Sequence, residues 1–281
     1  MMNNFFSGKN IVITGATSGL GKSLAFILGK YESNLLLVSR SKEKLSELKN
    51  NIDNKVSKIE VLNVDLSRNE SPQKIYDFSL NHFKHIDIII NNAGIGYNSF
   101  VTDVDKEIVQ EVFQINFFSI VEINKLFLPQ MIKKKQGSII NISSLGGKRS
   151  LPTSSIYCAS KFALEAYTES LRCELKTTNI NVLNVRPSII SNTNFFNGKF
   201  MKKELSSDFE IKIKGINKIS SDIIAKKILI SIIKKNRDLN LSLIAKLMII
   251  LNSIIPGLID ILFFHLRKKI IISNLKKIQN S

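Results

Sequence analysis

Across 281 residues the chain has no tryptophan, two cysteines, three histidines and 23 acidic residues against 40 basic ones. Each shortage excludes something. Cys158 and Cys173 lie fifteen apart on what reads as one helix, too far along it to bridge, so a disulfide scaffold is excluded and a reduced, cytoplasmic protein is expected. His82, His85 and His265 form no metal-ligand cluster with those cysteines, and no metal is expected. The first ten residues have no positive flank leading into a long apolar core, so no secretory signal is expected. No internal repeat or low-complexity linker breaks the chain.

The formal net charge of +17 raises nucleic acid and anionic membrane as partners. From Lys199 onward there are 17 Lys/Arg against 6 Asp/Glu, so most of the excess lies in the last 83 residues. The aromatic residues there are phenylalanines, without the Tyr and Trp of a base-stacking surface, and nucleic acid is not the expected partner. Apolar residues at 44% and charged residues at 22% describe a globular chain with a sizeable core.

Residues 9–14 form a short apolar run that enters a glycine turn, GATSGLG, followed by helical periodicity through Leu24, Ile27 and Leu28. Gly15, Gly19 and Gly21 allow a tight turn and a close backbone approach to a pyrophosphate, which the positive end of the following helix favours. Thr17, Ser18 and Leu20 fill the turn between them. The spacing is Gly-x-x-x-Gly-x-Gly, distinct from the familiar Gly-x-Gly-x-x-Gly fingerprint. A second strand is read at 34–39, and Ser39 and Arg40 end it where an acidic residue would bond the ribose hydroxyls of NAD. Arginine suits the added phosphate, so NADP is expected.

Further strands are read at 58–64, 86–90, 138–143, 181–185 and 238–243, alternating with helical segments. This pattern predicts an α/β chain, a single doubly wound Rossmann domain with a mostly parallel, seven-stranded sheet. One long helix is read over 106–134, with Asn116 inside it and Pro129 near its end. In isolation Asn116 carries little weight, because an asparagine in a helix is commonly exposed or bonded to its own backbone.

Ser144, Tyr157 and Lys161 follow the fifth strand at spacings of thirteen and four. Tyr157 and Lys161 share one helix face. A phenol with a pKa near 10 needs a nearby cation to act as acid or base at neutral pH, and Lys161 is placed to supply it. Ser144 sits at the carboxyl end of a strand, where open α/β sheets hold ligands.

In this order the motifs resemble the short-chain dehydrogenase/reductase family over about residues 8–200. Thr14-Gly15-x3-Gly19-x-Gly21 is similar to its cofactor turn, Asp65-Leu66 to its adenine contact, and Asn91-Asn92-Ala93-Gly94 to its cofactor-lining motif. Asn116, Ser144, Tyr157 and Lys161 match its catalytic tetrad. The resemblance implies that Tyr157 is the acid/base and that Ser144 holds the carbonyl or hydroxyl oxygen. It also implies that Lys161 binds the nicotinamide ribose and lowers the tyrosine pKa, and that Asn116 positions a relay water. It extends the cofactor contacts to Pro187, Ser188, Ile190 and Thr193, with Asn192 an alternative to Thr193. It departs from the family in having Pro187-Ser188 where Pro-Gly is common. The implied activity is NADPH-dependent reduction of a hydrophobic ketone or aldehyde, lipid-like or steroid-like. The rivals are other chemistry in the same family, such as epimerisation, and a non-catalytic NADP-binding or membrane-surface scaffold. A homo-oligomer, dimer or tetramer, is implied as well.

The catalytic domain is read as 1–242, with a substrate lid near 188–215, and 243–281 as an amphipathic helical extension. Its apolar stretch from Leu243 to Phe264 is interrupted by Lys246, Asn252, Pro256 and Asp260, so two helices broken at Pro256 are expected. Three readings stand open for them: a cover over the substrate cleft or subunit interface, contact with an anionic membrane surface, and a transmembrane span.

Overall fold

The computed structural model describes residues 2–52, 56–187, 190–191 and 219–279. A short helix α1 (Met2–Phe6) leads into β1 (Asn10–Thr14), and then α2 (Gly19–Leu28), β2 (Asn34–Ser39), α3 (Lys42–Asn51) and β3 (Lys58–Asn63). The chain continues through α4 (Ser71–Phe83) and β4 (Ile88–Asn91). The long helical segment follows as α5 (Lys106–Phe113), a π-helical turn (Gln114–Phe118) and α6 (Ser119–Lys134). Beyond it come β5 (Gly137–Ile142), α7 (Ser155–Glu174) and β6 (Ile180–Arg186).

The seven-stranded sheet runs β3-β2-β1-β4-β5-β6 and ends on β9 (Asp238–Asn240), with every neighbouring pair parallel. The strand order reverses between β1 and β4, and the crevice above that point is where doubly wound folds bind ligands. Two-residue strands β7 (Ile190–Ser191) and β8 (Ile219–Ser220) pair with one another outside the main sheet.

Alternation along each strand makes two cores. Ile11, Ile13, Leu35, Leu37, Ile88, Ile90, Ile140 and Ile142 face α2 and α8 (Ser221–Ile233). Val12, Leu36, Val38, Ile89 and Ile139 face the opposite side with Ile123, Phe127 and Leu171. Helices on both faces explain why the strands read as nearly continuous apolar runs.

The single helix read over 106–134 is continuous except for its π turn, which holds Asn116. Pro129 sits inside α6 without ending it. The extension forms α9 (Leu243–Ile254) and α10 (Pro256–Gln279), breaking at the expected proline. Among the described residues, no helix is long and apolar enough to cross a membrane. The lid read near 188–215 falls almost wholly outside the described residues.

Candidate active site and cofactor cradle

The glycine turn and the Asn91–Gly94 segment lock together at the switch point. Gly15 and Gly19 have φ of +64° and +47°, left-handed values that favour glycine. At Gly21 a Cβ would stand 2.2 Å from the Gly15 carbonyl oxygen and 2.6 Å from Asn92 Nδ2, so the first turn of α2 lies directly on this turn. Asn92 Nδ2 donates to the carbonyls of Thr14 and Gly15 at 3.0 and 3.1 Å, and the amides of Asn92 and Ala93 both donate to Thr14 Oγ1 at 3.0 Å.

Ser18 caps α2 only by its backbone; its side chain makes no capping bond to the first-turn amides. The positive end of the helix therefore opens onto a shaped backbone cradle, which fits a pyrophosphate. At the end of β2 the hydroxyls of Thr17 and Ser39 lie 2.7 Å apart, and Arg40 beside them is exposed. Asp65 is half-buried and accepts from the Ser67 amide, next to buried Leu66. Leu20 is a core residue, while Gly94 is half-buried beside Ala93. These residues fit a dinucleotide laid across the carboxyl edge of β1, β2 and β4.

Ser144 leaves β5 in extended backbone, with Oγ accepting from the Gly146 amide at 3.0 Å. The turn Leu145–Gly147 then packs onto the tyrosine: a Cβ on Gly146 would lie 3.3 Å from Tyr157 Cε1 and 3.4 Å from Ser144 Oγ. Thr153, at φ +68°, holds the return of this loop in the left-handed region, and the Ser99 amide donates to its carbonyl at 2.9 Å. Tyr157 and Lys161, 7% and 3% exposed, are buried on the same side of α7.

Burial pushes the Tyr157 phenol above its ordinary range, and a hydrogen bond with Ser144 pulls it partly back. Lys161 is lowered to about 8, chiefly by burial, against the upward pull of Glu165 one turn further along α7. Its Nζ donates to the Ile142 carbonyl at 2.9 Å. The lowering of the tyrosine expected from this lysine is not among the effects acting on the phenol here, which are burial, Ser144 and Cys158.

Asn116, fully buried in the π turn, is not the solvated asparagine that its position in a helix suggests. Its Oδ1 accepts from the Ile95 amide at 2.8 Å, and its Nδ2 donates to the Ile95 carbonyl at 2.9 Å and to Ser160 Oγ at 3.0 Å. The π turn, a form frequent at functional sites, thereby ties the segment after Gly94 to the helix of Tyr157 and Lys161. Pro187 is buried at the end of β6, and Ile190 lies in β7. Ser188, Thr193 and its alternative Asn192 lie outside the described residues.

Two polar networks escaped the sequence reading. Beneath the site, fully buried Asn91 Nδ2 donates to Asn124 Oδ1 and Asn141 Oδ1, and Asn141 Nδ2 donates to Thr168 Oγ1. Behind Lys161, the Arg186 guanidinium grips Glu165 at 2.6–2.9 Å, and Lys148 lies 3.4 Å from the same carboxylate. A signal existed for the first in the run Asn91-Asn92, where an apolar strand turns polar. The second joins residues distant in sequence and had none. Among the described residues no group of His, Cys, Asp and Glu is placed to hold a metal.

The model of the short chain dehydrogenase family matches residues 9–204. A dehydrogenase/reductase SDR family protein 7-like of Drosophila melanogaster is 32% identical over 260 residues, covering 91% of this chain and 79% of that protein. Dehydrogenase/reductase SDR family member 7B of Mus musculus is 35% identical over 184 residues, 64% of this chain, and the match spans only 57% of the mouse protein. In fold, the chain is similar to an alcohol dehydrogenase of the archaeon Thermococcus sibiricus complexed with 5-hydroxy-NADP. The TM-score is 0.71 at 24% identity, over 84% of this chain and 97% of that one.

Proposed function

The chain belongs to the short-chain dehydrogenase/reductase family, and from that premise we propose that it is an NADPH-dependent reductase of hydrophobic ketones or aldehydes. The observation that carries this reading is the convergence of Ser144, Tyr157 and Lys161. A strand-end hydroxyl is hydrogen-bonded to a buried phenol, with a buried lysine one turn along the same helix. Bare cofactor binding does not require that set, which disfavours the non-catalytic scaffold.

Gly15, Thr17, Ser18, Gly19, Leu20 and Gly21 would hold the pyrophosphate end. Ser39 and Arg40 would hold the ribose phosphate, Asp65 and Leu66 the adenine, and Asn92, Ala93 and Gly94 the middle of the dinucleotide. Pro187, Ser188, Ile190 and Thr193 would line the nicotinamide end, with Tyr157 and Lys161 at its ribose. NADPH, when bound, supplies the hydride.

Ser144 Oγ donates to the substrate oxygen and fixes it against Tyr157. The phenol, kept protonated by its burial, gives its proton to that oxygen as negative charge develops there. Lys161, held by the Ile142 carbonyl, presents positive charge to the tyrosinate that results. Asn116 keeps α7 in register with the segment after Gly94 through Ser160 and Ile95.

Exposed Arg40 supports NADP over NAD, since a guanidinium pairs with phosphate and leaves no carboxylate for ribose hydroxyls. The outer faces of the π turn, α6 and α7, with Phe118, Ile132 and Phe162 exposed, support a homo-oligomer assembled through these segments. The outer face of α9 and α10 supports contact with an anionic membrane surface. It exposes Leu247, Ile254, Leu258, Ile261 and Leu275 beside Lys246, Lys268, Lys269 and Lys276. The test is NADPH and NADH oxidation against a panel of hydrophobic ketones and aldehydes. Turnover with NADPH favoured upholds the reading, and a preference for NADH removes the role given to Arg40.

A further inference from the structure

The loop between Ser144 and Tyr157 carries a cation with no part in the chemistry above. Arg149 lies two residues beyond the turn that packs on Tyr157, and its amide donates to the Leu145 carbonyl at 3.0 Å, so its backbone is tied to that turn. Its side chain points to the C-terminal helices. Nη1 donates to Asn252 Oδ1 of α9 at 2.9 Å, and Nη2 pairs with Asp260 Oδ1 of α10 at 2.6 Å. The guanidinium also sits over the ring of Phe263, 5.3 Å from its centroid.

Asp260 is the single acidic residue of residues 243–279, which carry six Lys and Arg. Ile259 and Phe263, the residues of α10 flanking this contact, are 3% and 2% exposed in a helix whose other faces are largely open. Burial raises the thiol pKa of Cys158, the neighbour of Tyr157, and the Leu151 backbone, Ser150 and, least, the Arg149 guanidinium pull it back. One side chain thus joins both helices of the extension to the loop that leads to Tyr157.

We propose that Arg149 is a specificity-determining residue. It fastens α9 and α10 to the Ser144–Tyr157 loop, so that the apolar extension walls the substrate side of the site and selects elongated apolar aldehydes and ketones over short ones. This inference rests on the reductase reading above. The wall contributes binding energy through apolar area, which a short carbonyl compound does not fill.

The test uses the full chain as wild type, Asp260→Arg, and the charge-swapped pair Arg149→Asp with Asp260→Arg. Decanal and propanal are the substrates, and NADPH binding is followed by its fluorescence. Breaking the pair in Asp260→Arg raises KM for decanal by about ten-fold, with a much smaller change for propanal and unchanged NADPH affinity. The swapped pair recovers most of the loss. Equal losses for both aldehydes, or no recovery on swapping, would overturn the proposal. Hydrogen exchange supplies a readout independent of turnover. Asp260→Arg speeds exchange in α9, α10 and residues 145–154, the swap slows it again, and unchanged exchange contradicts the clamp. If the wild type binds NADPH yet reduces neither aldehyde, the reductase reading fails, while the exchange data still decide whether the clamp exists.

Discussion

Leu35, Leu36 and Leu37 of β2 are each 0% exposed, whereas Ile254, Leu258 and Ile261 of the C-terminal helices are 70%, 56% and 58% exposed. The two regions are comparably apolar in sequence and opposite in use. In β1, β2, β4 and β5, neighbouring strands and two helical layers take up every apolar side chain. Each residue's position follows from burial, at about 25 cal/mol per Å². Among the described side chains of α9 and α10 only a narrow stripe of Ile259, Phe263 and Arg267 is buried, and directed contacts such as Arg149 with Asp260 help to position the helices. Apolarity alone therefore does not indicate a core. What matters is whether the chain has surface enough to cover it.

The comparison is broken most severely at the site, where burial and function oppose each other. Lys161→Met lowers turnover by about 10²–10⁴-fold, the range for loss of acid/base assistance, which single-turnover kinetics reads. Thermal unfolding at pH 7 shows no loss of stability, because an apolar side chain suits that position better than a buried ammonium. The sign of its pH dependence follows from burial. The lysine titrates near 8 when folded and at 10.5 when unfolded, so between those values the unfolded chain binds more protons. Wild-type stability gains on Lys161→Met as pH rises through that window, and a widening deficit contradicts the placement. Reduction by the wild type falls over the same range, as Lys161 loses its charge while Tyr157 stays protonated.

At the cradle, Gly21→Ala forces a Cβ against the Gly15 carbonyl and Asn92. It costs about 1–3 kcal/mol in denaturant unfolding and weakens NADPH affinity in parallel. An unchanged midpoint and affinity would mean that the turn is not tightly seated. Arg40→Ala lowers the preference for NADPH over NADH by about ten-fold in competitive titration, with little effect on stability because the side chain is exposed. The smallest effect belongs to the extension. Leu258→Asp leaves the unfolding midpoint nearly unchanged and lowers co-sedimentation with anionic vesicles. Equal recovery of both proteins, with or without anionic lipid, removes the membrane from the account.

The sheet was legible because its strands are apolar on both faces and bounded by turn residues. The runs read at 34–39 and 138–143 fall within one residue of β2 and β5. The break of the extension at Pro256 was legible from proline's missing amide. The Gly15–Gly21 turn, Tyr157 and Lys161 follow local spacings, and their grouping in space follows from the parallel topology. Asn116 was legible only through the family pattern, since its burial depends on a π turn that periodicity does not reveal. Its partners, Ile95 and Ser160, come from other segments. The grip of Arg186 on Glu165 and of Arg149 on Asp260 joins residues 21 and 111 positions apart, a distance over which charge pattern carries no local signal. The raised Tyr157 pKa reflects burial of the phenol, which local spacing does not reveal.

The most direct test of the central claim compares wild type with Tyr157→Phe for NADPH oxidation against hydrophobic aldehydes, with NADPH affinity measured on both. The account predicts turnover in the wild type, a loss of about 10²–10⁴-fold in the variant, and unchanged cofactor affinity. Turnover that survives in Tyr157→Phe would contradict it.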